Sequence, residues 1–220
     1  MSGARYNQFC ALARAAEIIG ERWTLLIIRE LLLSPMRFGD LAARLDGISP
    51  ALLPARLDAL VEHGIVQRTT LPAPFKAQLY ELTETGRAVQ PAIRELIRWG
   101  GRFLFPMHED DKFEPDWALL ALDAIARRTP TPECRIGLLV PHRERPASFV
   151  VEGGAAGTRI TKGESSGRAV IEARFDVLLQ ILARQVPLDA AVASRKARIE
   201  GNTRTLRKLP ELFDLATARS

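Results

Sequence analysis

The sequence predicts an α+β protein of two domains, and three features point to it. Apolar residues first recur at helical spacing and then give way to two short strand-like runs. An acidic segment bounded by prolines, Pro106 to Pro115, interrupts all periodicity near the middle and reads as a linker. Beyond it, alternating strands are followed by leucine-rich helices. The expected plan is a domain over residues 1–105, a linker over 106–115 and a second domain over 116–220. With 220 residues, 47% apolar and 26% charged, the composition is that of ordinary soluble globular proteins.

The elements of the first half follow in order. Phe9, Leu12, Ala16 and Ile19 are spaced three and four apart, and Gly20 ends that helix. Trp23, Leu26, Ile27 and Leu31 to Leu33 continue as a second helix, stopped by Ser34-Pro35. Phe38, Leu41 and Leu45 predict a short third one, closed at Asp46-Gly47. Ser49 then stands as an N-cap with Pro50 at the first helical position, where a missing N–H costs nothing. Leu53, Leu57, Leu60 and Val61 give the fourth helix its apolar face, and Gly64 ends it. Ile65 to Thr70 and Ala77 to Leu82, joined by Pro72-Ala-Pro74, predict a β-hairpin. Thr83 caps a long final helix, Glu84 to Phe105, whose seam is Val89, Ile93, Leu96, Gly100 and Phe103, with a kink at Pro91.

Helix, helix, short helix, turn, capped helix and hairpin is the order of a winged helix-turn-helix. A helix whose first turn projects from the body fits the major groove, and a two-stranded wing reaches the neighbouring minor groove. The same order also suits a small α+β domain with no DNA role. A net charge of +5, shared by both halves, favours a polyanionic partner and gives no reason to expect a membrane. The cationic candidates for DNA are Arg37, Arg56, Arg68 and Lys76, each of which a solvated surface charge explains equally well. Arg68 and Lys76 on the wing suit phosphates, and Arg56 suits a guanine edge.

Several separated motifs occur in order: Ile19 to Leu31, Arg37-Phe-Gly-Asp-Leu41, Gly47-Ile-Ser-Pro50, Arg56-Leu57, Gly64-Ile-Val66, Tyr80-Glu-Leu-Thr83, Gly86-Arg87 and Trp99-Gly100. Together they resemble the HxlR-type transcriptional regulators over about residues 8–104. The resemblance implies a homodimeric winged-helix protein whose terminal helices pair the subunits. It makes Ser49 to Gly64 the recognition helix and Ile65 to Leu82 the wing, with Ser49 among the DNA-contacting residues. The sequence departs from the family at Ala51, Pro54 and Asp58. Pro54 would press on the carbonyl of Pro50, so the recognition helix is expected to start late or bend. Cys10 lies where some such regulators carry a sensing cysteine, with Arg14 four residues on; the alternative is a small buried hydrophobe.

In the second half Trp117, Leu120, Ala121 and Ile125 mark a helix over Trp117 to Ala126. Strands are expected at Cys134 to Val140, Ala147 to Glu152, Thr158 to Thr161 and Arg168 to Arg174. Helices follow at Asp176 to Val186 and Leu188 to Arg195, then Ala197 to Asn202 and a last helix through Leu206, Leu209, Leu212 and Phe213. An apolar strand, a leucine-rich helix and a short strand ending in Gly201 before a final helix resemble the sterol-carrier-protein fold over about residues 115–216. That resemblance implies an α/β domain with helices over one sheet and a cavity for a small apolar ligand. Its expected walls are Trp117, Phe149, Val151, Ala169, Ile171, Ala173, Leu178 and Leu182, which fill a core equally well.

Motifs of catalysis are missing from the sequence. His63, His108 and His142 are far apart and lack metal-ligand spacing. There is no Gly-x-Ser-x-Gly elbow and no Walker-type loop, and Gly153 to Gly157 reads as a hairpin turn. No enzyme, cofactor or metal is therefore expected. No apolar run approaches the roughly 20 residues of a membrane span, and no signal peptide is visible. Two cysteines, Cys10 and Cys134, fit a reducing cytoplasm better than a disulfide framework. Three functions stay open: a DNA-binding regulator modulated by a small apolar ligand, a thiol-based redox regulator sensing through Cys10, and a carrier protein that has lost DNA readout.

Overall fold

A computed structural model describes residues 5–72, 74, 76–105, 108, 111–142, 146–164 and 169–215. The chain forms two compact units, residues 1–93 and 94–220. Pro106, Met107, Glu109 and Asp110 of the expected linker, Ala73 of the expected wing turn and Arg168 of an expected strand lie outside the described residues.

The first unit runs α1 (Ala11–Ile19), α2 (Thr24–Leu33), α3 (Phe38–Arg44), α4 (Leu52–Glu62), β1 (Val66–Thr70), β2 (Gln78–Leu82) and α5 (Glu84–Arg87). Its core is built from one stripe of each helix: Ile27, Ile28 and Leu31, then Leu41 and Leu45, then Leu53, Leu57 and Leu60. Removing each such side chain from water contributes about 1.5–3 kcal/mol, enough to fix the helices without help from propensity. β1 and β2 pair antiparallel from Val66↔Leu82 to Thr70↔Gln78. A short bridge holds this hairpin to the α2–α3 connection. Met36 N donates to Tyr80 O at 3.0 Å, and Tyr80 N returns a bond to Met36 O at 2.8 Å.

The long helix expected over Glu84 to Phe105 is broken. α5 stops at Arg87, α6 (Gln90–Gly100) begins at Gln90 after Ala88 and Val89, and a 3-10 turn covers Gly101–Phe103. Pro91 is the cause, because it has no N–H to offer the carbonyl of Arg87 and its ring crowds that carbonyl. Thr83 does cap α5: its hydroxyl accepts from Gly86 N at 3.0 Å and donates to Gly64 O at 2.6 Å.

α7 (Pro115–Ile125) leads into a five-stranded sheet of β3 (Cys134–Val140), β4 (Ala147–Gly153), β5 (Arg159–Lys162), β6 (Ala169–Ala173) and β7 (Ala197–Gly201). The order is β5-β4-β3-β6-β7, with β3 and β6 parallel and the other neighbours antiparallel. α8 (Phe175–Leu182) and α9 (Leu188–Ala193) connect β6 to β7, and α10 (Thr203–Leu206) follows. The register lines up Phe149, Leu138, Ile171 and Ile199 in one row across four strands. That row packs with Ala118 and Leu122 of α7 and with Leu178 and Leu182 of α8 in a single core. β6 is an interior strand, between β3 and β7, and Val170 on its other face is buried as well. No helix among the described residues is long and apolar enough to cross a membrane.

Candidate nucleic-acid interface

α3 and α4 are joined by a tight turn in which Gly47 takes φ 88°. The recognition helix starts late. Ser49 accepts from Leu52 N through its hydroxyl at 3.2 Å, and regular helix begins at Leu52. Pro54 thereby falls in the first turn, where the N–H it lacks has little to bond to. The buried stripe of α4 is Leu53, Leu57 and Leu60; the exposed stripe is Ala51, Ala55, Asp58 and Glu62, at spacings of four, three and four. No basic side chain stands on that outward stripe.

The five residues expected at DNA divide into two groups. Arg37 is exposed at the start of α3, and Lys76 is exposed near the wing tip with φ 27°. Ser49 is occupied in capping. Arg56 lies on the flank of α4, half-buried, and gives Nη2 to Glu21 Oε2 at 2.6 Å, while its Nε is buried without a partner. Arg68 bonds Asp58 on α4 and sits over the Tyr80 ring, 5.8 Å from its centroid. Both arginines therefore brace the recognition helix, one to the segment before α2 and one to the wing.

Sequence reasoning missed Glu30. It is fully buried on α2, accepts from Arg29 Nε and Nη2 at 2.8 and 2.5 Å, and accepts from Arg44 Nε at 3.0 Å. This ties α2 to the end of α3. The signal was present, since Glu30 is three residues after Ile27 on the apolar stripe of the helix.

Cys10 is exposed and occupies the N-cap position of α1. Arg14 turns its guanidinium to Glu17 at 2.7 Å, away from a role as thiol partner. That bond, with a second from Tyr6 N, holds the Glu17 carboxyl below the usual range. Cys134 is half-buried, and burial pushes its thiol up. Among the described residues no cluster of histidine, cysteine or carboxylate groups is placed to hold a metal ion.

The expected ligand walls of the second unit come together, but as its core. Phe149, Val151, Ile171 and Leu178 have no exposed surface, and Ala169, Ala173 and Leu182 are buried beside them. Trp117 is half-buried on α7.

A family model described as HxlR-like helix-turn-helix matches residues 18–108. An uncharacterised HTH-type transcriptional regulator of Mycobacterium tuberculosis is 44% identical over 94 residues, which are 43% of this chain and 59% of that protein. The chain thus spans less than two thirds of that relative. The HTH-type transcriptional regulator YodB of Bacillus subtilis is 35% identical over 101 residues, 46% of this chain and 90% of YodB. The solved reduced form of YodB aligns with 46% of this chain and 100% of its own, at 33% identity and a TM-score of 0.40. With nearly all of a curated regulator matched, the chain belongs, through its N-terminal half, to the HxlR-like helix-turn-helix family.

Proposed function

We propose that the chain is a sequence-specific DNA-binding transcriptional regulator acting as a homodimer. The observation that carries this is the α3–α4 pair followed by an anchored wing, with Ala51, Ala55 and Glu62 exposed along α4. A helix of this kind fits the major groove, which is about 12 Å wide. Arg37, exposed at the start of α3, and Lys76, exposed near the wing tip, supply phosphate contacts. The methyl groups of Ala51 and Ala55 are the base-facing surface, and Arg56 and Arg68 hold the helix at its angle.

The test is fluorescence anisotropy of the full chain on the DNA upstream of its own coding region, across graded salt. Lys76→Ala should weaken all sequences alike and lower the salt slope by about one per half-site. Unchanged salt dependence would remove Lys76 from the interface, and no binding even at low salt would leave the carrier reading. The exposure of Cys10 at a helix start favours a second reading, thiol sensing. Diamide that releases wild type but not Cys10→Ser from DNA would establish it.

The second unit supports a sterol-carrier-like reading through its order of apolar β6, leucine-rich α8, β7 ending at Gly201 and then α10. An apolar effector would have to displace packed side chains such as Phe149 and Ile171, so its interior serves first as a core.

A further inference from the structure

The second unit carries an open cleft of about 610 Å³ lined by Arg127, Arg184, Arg207, Glu211 and three prolines. That volume is within the usual range of small-molecule sites. The three guanidinium groups come from separate places: Arg127 follows α7, Arg184 follows α8 and Arg207 follows α10.

Arg184 is the informative one. Its φ is 58°, the left-handed region that favours glycine. The backbone there closes the end of α8, with Gln185 N donating to Gln180 O at 2.9 Å, a position glycine fills without strain. Yet an arginine stands there, exposed, and its side chain makes no hydrogen bond or ion pair among the described residues. Arg127 donates Nε to Phe213 O at 3.2 Å and lines the cleft from the opposite chain segment. Arg207 is steadied by Asp189 at 3.0 Å.

The proline-rich wall is rigid. Between Pro130 and Pro132, Thr131 N donates to Gly154 O at 3.0 Å, and Gly154 N donates back to the Thr131 hydroxyl at 3.0 Å. The segment lies so close to β4 that a Cβ on Gly153 would meet Pro132 O at 2.3 Å. Arg127 itself is pinned, with its N on Leu212 O at 3.0 Å and its O accepting from Thr158 N at 2.8 Å. The backbone that carries Arg127 is thus pre-formed, which lowers the ordering cost of binding on that side of the cleft.

We propose that this cleft binds a small polyanion, a phosphate- or polycarboxylate-bearing molecule, through Arg127, Arg184 and Arg207. The guanidinium fork matches the oxygens of such groups and forms paired charge-assisted hydrogen bonds with them. Glu211 at the same cleft offers an acceptor to a hydroxyl of the guest and disfavours a second anion. The proposal stands apart from DNA binding, since none of these residues belongs to the helix-turn-helix or the wing.

The test uses the full chain, with pyrophosphate and citrate as probes at ionic strength held constant with sodium chloride. Thermal melting and calorimetry should show saturable binding of one of them, and which one identifies phosphate or carboxylate chemistry. Arg184→Gly should leave the melting temperature of the free protein unlowered, because glycine suits the backbone there, while weakening the probe by at least about tenfold. Arg207→Gln should weaken it too, and Lys76→Ala should leave it unchanged. No saturable response to either probe, an equal response to chloride alone, or wild-type binding by Arg184→Gly would overturn the proposal.

Discussion

A carboxylate with no exposed surface sits between two guanidinium groups in the helix-turn-helix, and its removal should be felt throughout the first unit. Glu30→Gln keeps the volume but leaves Arg29 and Arg44 with a neutral partner in a half-buried place. It should cost roughly 2–4 kcal/mol in urea unfolding. A loss under about 1 kcal/mol would mean that the two arginines do not depend on the Glu30 charge. In the second unit Glu152 accepts from Arg159 at 2.7 Å and from Arg135 across the strands. Arg159 first, with Arg135 behind it, holds this carboxyl below the ordinary glutamate value of about 4.3. A depressed value stabilises the fold above the unfolded pKa, and that contribution fades as pH falls through the folded one. Melting temperature followed downward from about pH 5 should therefore drop less steeply for Glu152→Gln than for wild type. Parallel curves would show that Glu152 is equally paired in the unfolded chain.

Elements whose periodicity is strong were legible in the sequence, and those decided by a distant contact were not. The stripes of α2 and α4 and the β3 and β4 runs follow from spacing alone, because a face that must be buried announces itself locally. The late start of α4 was also legible, from Pro54. The break at Val89 was under-read as a kink, since periodicity continues across Pro91 while the backbone bond does not. The partners of Arg56 and Arg68 could not be read, because Glu21 is 35 residues from Arg56 and nothing in spacing brings them together. Among the described residues, apolar side chains stand uncovered in two places. On α1 and just before it, Phe9 and Leu12 are exposed; around the end of α6, Leu96, Trp99 and Phe103 are exposed, with the last two rings in edge contact at 5.1 Å. A second copy of the chain suits such faces. Wild type should scatter light as a dimer at micromolar concentration, and Leu12→Asp or Trp99→Asp should shift it to monomer while far-UV circular dichroism stays the same. A wild-type monomer would remove the dimer from the proposed function.

The net positive charge is shared by both halves of the sequence, so the proposed DNA binding rests on a few placed side chains and should be correspondingly salt-sensitive. The two units also differ in how far along the chain their partners lie. In the first, β1 pairs with β2, the strand that follows it in the chain. In the second, the middle of the sheet is the parallel pair of β3 with β6, in which Gly137 is set beside Val170 and the connection runs out through β4 and β5 before returning. That pairing has a consequence in time. During synthesis the first unit has all its contacts once its own residues have emerged, and it gathers mostly local ones, which form quickly. The second must hold β3 and its hairpin partners open until β6 arrives, and β6 has an unpaired edge until β7 closes it. A ribosome that stalls between the two strands leaves a finished helix-turn-helix attached to an apolar strand seeking a mate. The vulnerable interval in the life of this protein is therefore the late one, when the helix-turn-helix unit is complete and the sheet that follows it is not.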